Sequence, residues 1–344
     1  MRILVASYHT VPGYSGGWAT PLDLLTPGFD VSYAAALGRE GVYELEGVRV
    51  NGLRRAFRVG DPLTRPGTLP GRVAKKLSEQ AFGRLISREY RRLRPRFVLC
   101  LDILTARQCI SRKIPYAIRI HSDPVGTPPA ELRRLLDGAL FATACQMTGV
   151  QGVEILPHSV DLHRFPWTEA PAAEDALMVT VLYETRLPML FVEGVLGSSL
   201  RGTIVGNGPL RDRVEEACRD SAGRVTLREP VLRTEMPSLL AQYQIGVACH
   251  KEVPSIYQMK VPEYQAAGLF PMVMPWNHLA LEAPDLAGVF RTADELSMEL
   301  DRVADHWKET LDTRRRGRDF ALAKYDVAPA RIRFREILRE SGVI

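Results

Sequence analysis

Short runs of β-branched and apolar residues alternate with helical stretches along most of this chain, and this alternation constrains the fold more than any other feature. The strand-like runs are Ile3–Ser7, Phe97–Asp102, Ala117–His121, Glu154–Pro157, Met178–Tyr183, Gly202–Val205, Arg224–Leu227, Ile245–Cys249 and Phe270–Met274. Apolar residues recurring about every 3.6 positions predict helices over 72–93, 131–138, 210–220, 235–242, 260–267, 294–311 and 329–340. Strands separated by helices indicate βαβ units, and therefore the parallel, doubly wound sheets of an α/β fold.

A stretch rich in proline and alanine, Pro166–Asp175, separates two sets of predicted strands and indicates an interdomain linker. The length of 344 residues also favours two domains. We expect an N-terminal acceptor-binding domain over 1–165, completed by a C-terminal helix over 329–344, and a donor-binding domain over 166–328. Two doubly wound domains facing each other would place the C-terminal edges of both sheets on a central cleft, where ligands bind in such folds.

The composition excludes several classes of protein. Hydrophobic residues make up 46% of the chain and charged residues 25%, which excludes a largely disordered protein. No apolar run approaches the ~20 residues that span a bilayer. The opening MRILVAS breaks at Pro12, so we interpret it as a buried first strand and not as a signal peptide. The five cysteines are scattered without a C-x-x-C pair, which favours a reducing, cytoplasmic compartment over a disulfide framework or a structural zinc site.

The chain is modestly basic, with a formal net charge of +5 at pH 7. This charge suits anionic partners such as nucleotides, phospholipids or nucleic acid, but it selects none of them. One predicted helix places an apolar set opposite a basic set, Arg84, Arg88, Arg91 and Arg92. A second basic cluster spans 314–318. Each is interpreted either as a solvated face or as a docking surface for an anionic acceptor, lipid or nucleic acid.

A glycine-rich loop follows one of the second-half strands. Gly206, Asn207 and Gly208 come directly after Gly202–Val205 and precede a charged helix. Glycines let a ligand approach the backbone closely, and a helix N-terminus offers free N–H groups to negative charge. Ordinary turns use the same residues for their geometry alone. The loop by itself therefore leaves both interpretations open.

Three motifs follow one another in the second half of the chain: Glu184-Thr-Arg186-Leu187, Val205-Gly-Asn207-Gly-Pro-Leu-Arg211 and Glu263-Tyr-Gln-Ala-Ala-Gly268. In this order they resemble the donor-binding domain of GT-B glycosyltransferases, in particular the large retaining group that uses nucleotide-diphosphate sugars (group 1). The first half adds weaker matches at Gly16-Gly17, at the strand Ile118–His121 and at Leu156–Phe165. The resemblance covers almost the whole chain and implies GT-B architecture, with two doubly wound Rossmann-like domains facing a central cleft.

The resemblance also implies roles for individual residues. Arg186 would counter the charge of the departing diphosphate, and Glu263 would accept hydrogen bonds from the ribose hydroxyls. His121 would face the sugar and the acceptor, while Asp102 would orient a loop or the acceptor. The remaining donor contacts would come from Gly16, Gly17, Gly206, Asn207, Gly208 and Ser255.

Two departures from the family pattern concern the phosphates. The lysine usually found five residues after the arginine is Phe191, and the first glutamate of E-x7-E is Ser255. Lys260, three residues before Glu263 in a chain with only seven lysines, is the candidate catalytic replacement. Each role has an alternative. Lys260 is alternatively a solvated lysine at a helix start, and Glu263 a glutamate favoured only by the helix dipole. His121 is alternatively a residue that only caps its strand. For Arg186 the alternative is a surface salt bridge.

The predicted activity is transfer of a sugar from a UDP- or GDP-type donor to an acceptor hydroxyl. No D-x-D occurs in the chain, so we expect no metal site and no other cofactor, with protein cations stabilising the phosphates. The expected partners are the nucleotide sugar and a small-molecule, saccharide or lipid-linked acceptor, with peripheral contact at the inner membrane face. The alternatives are a GT-B-like binding protein without turnover and a glycosyltransferase acting on nucleic acid. A basic nucleic-acid-binding protein would need a recognisable motif, which is not found.

Overall fold

The computed structural model divides the chain into two compact units. It describes residues 1–8, 16–26, 28–36, 39–53, 69–120, 127–145, 152–156, 158–171, 173–252 and 258–344. The first unit comprises Met1–Ser159 together with Val327–Ile344, and the second comprises Val160–Asp326. Residues 160–165, which the sequence analysis placed in the first domain, contribute buried side chains to a core cluster of the second unit.

An eight-stranded sheet forms the first unit. Its strands are β1 (Arg2–Ser7), β2 (Asp30–Ala35), β3 (Gly41–Leu45), β4 (Val48–Gly52), β5 (Val98–Cys100), β6 (Tyr116–Ile120), β7 (Ala142–Ala144) and β8 (Glu154–Ile155). They lie in the order β3-β4-β2-β1-β5-β6-β7-β8, and every neighbouring pair is parallel except β3 with β4. The central strand β1 is buried after its first residue, as a strand covered on both faces must be.

The second unit contains a six-stranded sheet in which all pairs are parallel. Its strands are β9 (Ala173–Val179), β10 (Arg201–Val205), β11 (Val225–Arg228), β12 (Tyr243–Ala248), β13 (Phe270–Val273) and β14 (Gly288–Val289). They lie in the order β11-β10-β9-β12-β13-β14. Both units are therefore α/β and Rossmann-like, which confirms the predicted fold class.

Helices flank both sheets. They are α1 (Gly16–Leu25), α2 (Leu69–Leu93), α3 (Ile103–Ser111), α4 (Pro129–Asp137), α5 (Pro188–Gly197), α6 (Arg211–Asp220), α7 (Met236–Leu240), α8 (Lys260–Ala267), α9 (His278–Glu282), α10 (Ala293–Asp305), α11 (Leu311–Tyr325) and α12 (Val327–Glu340). Successive residues of β1 belong to different core clusters, Val5 to one and Ala6 to the other, because side chains alternate across a strand. Phe334 and Ile337 of α12 pack into the first of these clusters, so the end of the chain completes the first unit.

The sequence analysis was wrong about several elements. It did not predict the strands β2, β3, β4, β7 and β14 or the helices α1, α3, α5, α9 and α11. It also placed β9 too late, because β9 begins at Ala173 inside the predicted linker. The first residues of β9, Ala-Glu-Asp, have low β propensity, and their pairing with β12 sets the start of the strand. The helix α11 was missed because its basic residues weaken the apolar pattern, although its buried face includes the side chain of Arg314.

Candidate active site

The second sheet changes direction at β9. From β9 the chain proceeds to β10 and β11 on one side of the sheet, and it then returns to form β12 on the other side. In open α/β sheets, ligands bind beyond the C-terminal ends of the strands at such a switch point. The segments that follow β9 and β12 carry Arg186, His250, Lys260 and Glu263.

Arg186 ends a 3-10 turn, Glu184–Arg186, shortly after β9. The next residue, Leu187, has a left-handed conformation with φ of 49°, and α5 begins at Pro188. A left-handed conformation costs a residue with a side chain about 1–2 kcal/mol, so the surrounding packing must hold this corner. The guanidinium is half-buried, and burial lowers its pKa. Within the described residues, no side-chain hydrogen bond or ion pair neutralises it.

Lys260 is the first residue of α8, and its Nζ donates a hydrogen bond of 2.6 Å to the carbonyl oxygen of Val179 at the end of β9. Burial, followed by the charge of Arg186, lowers the pKa of Lys260 to about 7, against the raising effects of Cys249 and Glu263. Arg186 and Lys260 are thus close enough for their charges to interact near the end of β9.

His250 is a buried residue just after β12 that the sequence analysis did not single out. Its Nδ1 is hydrogen-bonded to the carbonyl oxygen of Lys251, and its own carbonyl accepts a bond of 2.9 Å from Nε1 of Trp276. Burial lowers the pKa of His250 and outweighs the raising effect of the Lys251 bond, and the charges of Arg186 and Lys260 lower the pKa further. The imidazole is therefore neutral at pH 7. His250 could have been predicted as a site residue from its position after a strand, which is the criterion that selected His121.

Helix α8 is docked against both central strands. The hydroxyl of Tyr264 accepts a hydrogen bond of 3.1 Å from the backbone N–H of Val179, and burial raises the pKa of this phenol. A Cβ atom at Gly246 in β12 would lie 2.3 Å from the Tyr264 ring, so glycine is required for this close approach. Glu263 lies in the first turn of α8, three residues after Lys260, and is half-buried. The docking therefore fixes both candidate side chains relative to the strand ends.

The glycine-rich loop after β10 packs against the segment after β9. A Cβ at Gly206 would lie 1.8 Å from the carbonyl oxygen of Thr180, and one at Gly208 would lie 2.7 Å from that of Leu182. The N–H of Leu182 donates to the carbonyl oxygen of Asn207 at 3.0 Å, and the Asn207 Oδ1 accepts from the N–H of Gly208 at 2.7 Å. These two glycines thus serve a loop-to-loop contact, and the amide of Gly208 is already engaged.

The other predicted site residues lie in the core of the second unit, in the first unit or outside the described residues. Phe191, at the position of the family's lysine, is fully buried in the core of the second unit and presents no polar group. Gly16 and Gly17 open α1 in the first unit. His121 and Ser255 lie outside the described residues.

Asp102 organises the switch point of the first sheet, between β1 and β5. One carboxylate oxygen accepts bonds of 2.8 Å from both the N–H and the hydroxyl of Thr105, which caps α3. The other oxygen accepts from the hydroxyl of Ser7 at 3.0 Å and from the N–H of Tyr8 at 2.7 Å. Asp102 thereby fixes the start of the loop that follows β1.

Comparison with known proteins agrees with this architecture. The family model described as glycosyl transferase-like matches residues 184–336, a segment that begins two residues before Arg186 and includes Lys260 and Glu263. The second half of the chain is therefore similar to glycosyl transferases. A sequence comparison with curated proteins finds no significant match.

Several solved structures share the GT-B fold of this chain at low identity. Sucrose-phosphate synthase from Thermosynechococcus elongatus is 12% identical with a TM-score of 0.77, over 99% of both chains. HepE from Anabaena in complex with UDP-glucose is 11% identical with a TM-score of 0.74, over 99% of this chain and 100% of the other. The lipopolysaccharide outer core galactosyltransferase WaaB is 11% identical with a TM-score of 0.58, over 99% of both chains.

Arg314, in the basic cluster of 314–318, belongs to the framework of the second unit, and neither sequence-based interpretation holds for it. This side chain is 3% exposed, and its guanidinium donates to the carbonyl oxygens of Gly268 at 3.0 Å and Glu169 at 3.1 Å. It also lies 3.9 Å from the ring centroid of Trp307. Arg314, a residue of α11, therefore connects the segment before β9, at Glu169, to the C-terminal end of α8, at Gly268.

Among the described residues, no group of three or more His, Cys, Asp and Glu side chains is placed to hold a metal ion. No helix in the described part of the chain is long and apolar enough to cross a membrane.

Proposed function

We propose that this protein is a glycosyltransferase that moves a sugar from a UDP- or GDP-type donor to an acceptor hydroxyl, with retention at the anomeric carbon and without a metal ion. The observation that carries the proposal is the pair of cations at the end of β9. Burial, followed by the charge of Arg186, lowers the pKa of Lys260 to about 7, so the protein environment disfavours a second positive charge beside Arg186. A diphosphate placed between them would remove this repulsion.

The chemistry assigned to these residues follows from the charge that develops in the reaction. As the bond from the anomeric carbon to the diphosphate breaks, negative charge grows on the leaving oxygen, and a preorganised cation at that point stabilises it. Arg186 and Lys260 supply this stabilisation in our proposal, and Glu263 binds the ribose hydroxyls through its carboxylate. We propose that His121 faces the sugar and that Ser255, Gly16 and Gly17 complete the donor contacts.

Support for the donor class comes from relatives that share the fold. HepE has been crystallised with UDP, with UDP and glucose, and with UDP-glucose. WaaB is described as a galactosyltransferase of the lipopolysaccharide outer core. By analogy, we propose a saccharide or lipid-linked acceptor for this protein. We also propose a cytoplasmic location, with which five free cysteines are compatible.

The proposal is tested by incubating the purified protein with UDP- and GDP-sugars and following donor consumption by NMR, with and without excess EDTA. Consumption of one donor at a rate that EDTA leaves unchanged, with retention in the product, supports it. Loss of activity in EDTA that magnesium or manganese restores contradicts metal independence. Inversion at the anomeric carbon contradicts retention.

A second candidate is a nucleotide-sugar-binding protein without turnover. The burial of Phe191 favours it, because this position cannot supply the second cation that the family pattern places there. Tight donor binding with no consumption of any donor, in the presence of simple saccharide acceptors, would select this candidate.

A further inference from the structure

Helix α2 of the first unit presents a basic outer face. It has 25 residues and is about 37 Å long. Its inner face, formed by Phe82, Leu85, Ile86 and Leu93, is buried. Its exposed face carries Val73, Lys76, Leu77, Arg84, Arg88 and Arg91, which share one side of the helix because of their 3.6-residue spacing.

Part of the charge on this face is uncompensated, although Arg88 lies 3.6 Å from Glu89. Among the described residues, no carboxylate lies within salt-bridge distance of Lys76 or Arg84, whereas Arg92 on the same helix binds Glu89 at 2.6 Å. Val73 is 51% exposed and Leu77 46% exposed, so two apolar side chains lie beside the cations. Cations interspersed with exposed apolar residues are the pattern of a surface that contacts a lipid headgroup layer.

A cavity of about 430 Å³ opens between this face and α3. Its cationic lining residues are Lys76, Arg84 and Arg112. Gln80, Gln108, Ser111 and a single acid, Glu79, complete the lining. Three cations against one carboxylate, with amide and hydroxyl donors between them, match the chemistry of a phosphate group.

The guanidinium of Arg112 is held in place before any ligand arrives. It donates to the Oε1 of Gln108 at 2.6 Å and to the hydroxyl of Ser111 at 2.7 Å. A Cβ at Gly83 would lie 2.3 Å from Cζ of Arg112, so a glycine in α2 gives the guanidinium its place on the helix surface. An anion that enters the cavity therefore meets an ordered cation.

We propose that this face of α2 and the adjoining cavity bind the phosphate-bearing head groups of an anionic lipid bilayer. The phosphate would occupy the cavity, while Val73 and Leu77 enter the interface. The observations favour lipid over nucleic acid because no aromatic ring is exposed over 72–93, the part of α2 whose side chains are described, and bases bind single-strand sites by stacking. This inference is independent of the donor chemistry in the second unit.

Vesicle co-sedimentation tests the proposal. The protein is mixed with vesicles of phosphatidylcholine alone, or of equal parts phosphatidylcholine and phosphatidylglycerol, at low and high salt. We expect binding to the anionic vesicles only, and weakening by salt. The double variant Lys76→Glu/Arg84→Glu should lose binding by roughly tenfold or more, because each basic residue contributes to attraction at an anionic surface.

The matched control makes the same charge change in the second unit, as Arg201→Glu/Arg219→Glu, at two exposed positions. It should bind anionic vesicles like wild type, and circular dichroism should show that both variants are folded. Equal vesicle binding by the α2 variant and wild type would overturn the proposal, as would no binding by wild type. Binding of an RNA oligonucleotide that the α2 variant loses, without vesicle binding, would assign the face to nucleic acid instead.

Discussion

The ammonium of Lys260 lies 2.6 Å from the carbonyl oxygen of Val179, so a side chain from the start of α8 reaches the C-terminal end of β9. This bond directs the lysine toward the strand end that Arg186 follows, which excludes a freely solvated helix-start lysine. It also explains how one helix carries both a phosphate-binding candidate and, three residues later, a ribose-binding candidate in Glu263.

Replacement of Lys260 by alanine should lower turnover by about 10²–10³, the effect of removing one group that stabilises developing charge. The KM for the donor should change much less. Steady-state kinetics checks both quantities, with Lys308→Ala as the control, since Lys308 lies in the 3-10 turn that follows α10. Turnover equal to wild type would mean that the lysine is structural.

The depressed pKa of Lys260 has a consequence for stability. The value of about 7 in the folded protein compares with 10.5 for an unperturbed lysine. Between these values the unfolded chain binds a proton that the folded protein does not, so this group makes the free energy of unfolding rise with pH. Below about pH 7 both states bind the proton, and the destabilisation is at its largest.

The stability of Lys260→Met relative to wild type should therefore depend on pH. The variant should gain most over wild type below about pH 7, and this difference should shrink toward about pH 10. Urea unfolding of both proteins across this range measures it. A difference that is constant with pH would show that Lys260 keeps an ordinary pKa.

Glu263→Ala should weaken nucleotide binding without unfolding the protein. Hydrogen bonds to a charged group contribute about 1.5–3 kcal/mol, which corresponds to roughly a 10- to 100-fold loss of affinity. The matched control ligand is the 2′-deoxynucleotide, which lacks one of the two ribose hydroxyls. Its affinity for the protein should fall less when Glu263 is replaced. Equal losses for both nucleotides would show that Glu263 does not contact the ribose.

Arg314→Lys should destabilise the protein, although it keeps the charge. Lysine cannot reproduce the planar fork that reaches two backbone carbonyls and stacks on Trp307. Buried carbonyls left without partners cost about 1–3 kcal/mol each. The neighbouring Arg315 is exposed, and Arg315→Lys is the control. Thermal unfolding that is identical for the two variants would contradict the assigned role.

The parallel α/β architecture was predictable because buried strands and amphipathic helices leave strong apolar patterns. The helix over 260–267 was predicted with the observed bounds, which placed Lys260 and Glu263 together. The short, half-exposed strand β3 was missed because its residues alternate between intermediate and exposed, with little apolar signal. Edge strands of this kind are set by pairing with neighbours and not by their own sequence.

Residues whose role depends on distant contacts could not be assigned from the sequence. Arg314 is indistinguishable by sequence from its exposed neighbour Arg315, because only tertiary contacts separate them. The interpretation of Gly206 and Gly208 also needed coordinates, since the atoms they approach belong to another loop. His250 could have been predicted from its position at a strand end, but it belongs to none of the motifs on which the resemblance rests.

Calorimetric titration of UDP and GDP, each compared with its nucleoside, tests the central claim most directly. The claim is that Arg186 and Lys260 form a diphosphate site at the end of β9. One of the two nucleoside diphosphates should bind, and its nucleoside should bind far more weakly. The double variant Arg186→Ala/Lys260→Ala should stay folded and should lose most of this difference in affinity. A diphosphate that binds no better than its nucleoside, or a folded double variant that binds it like wild type, would contradict the claim.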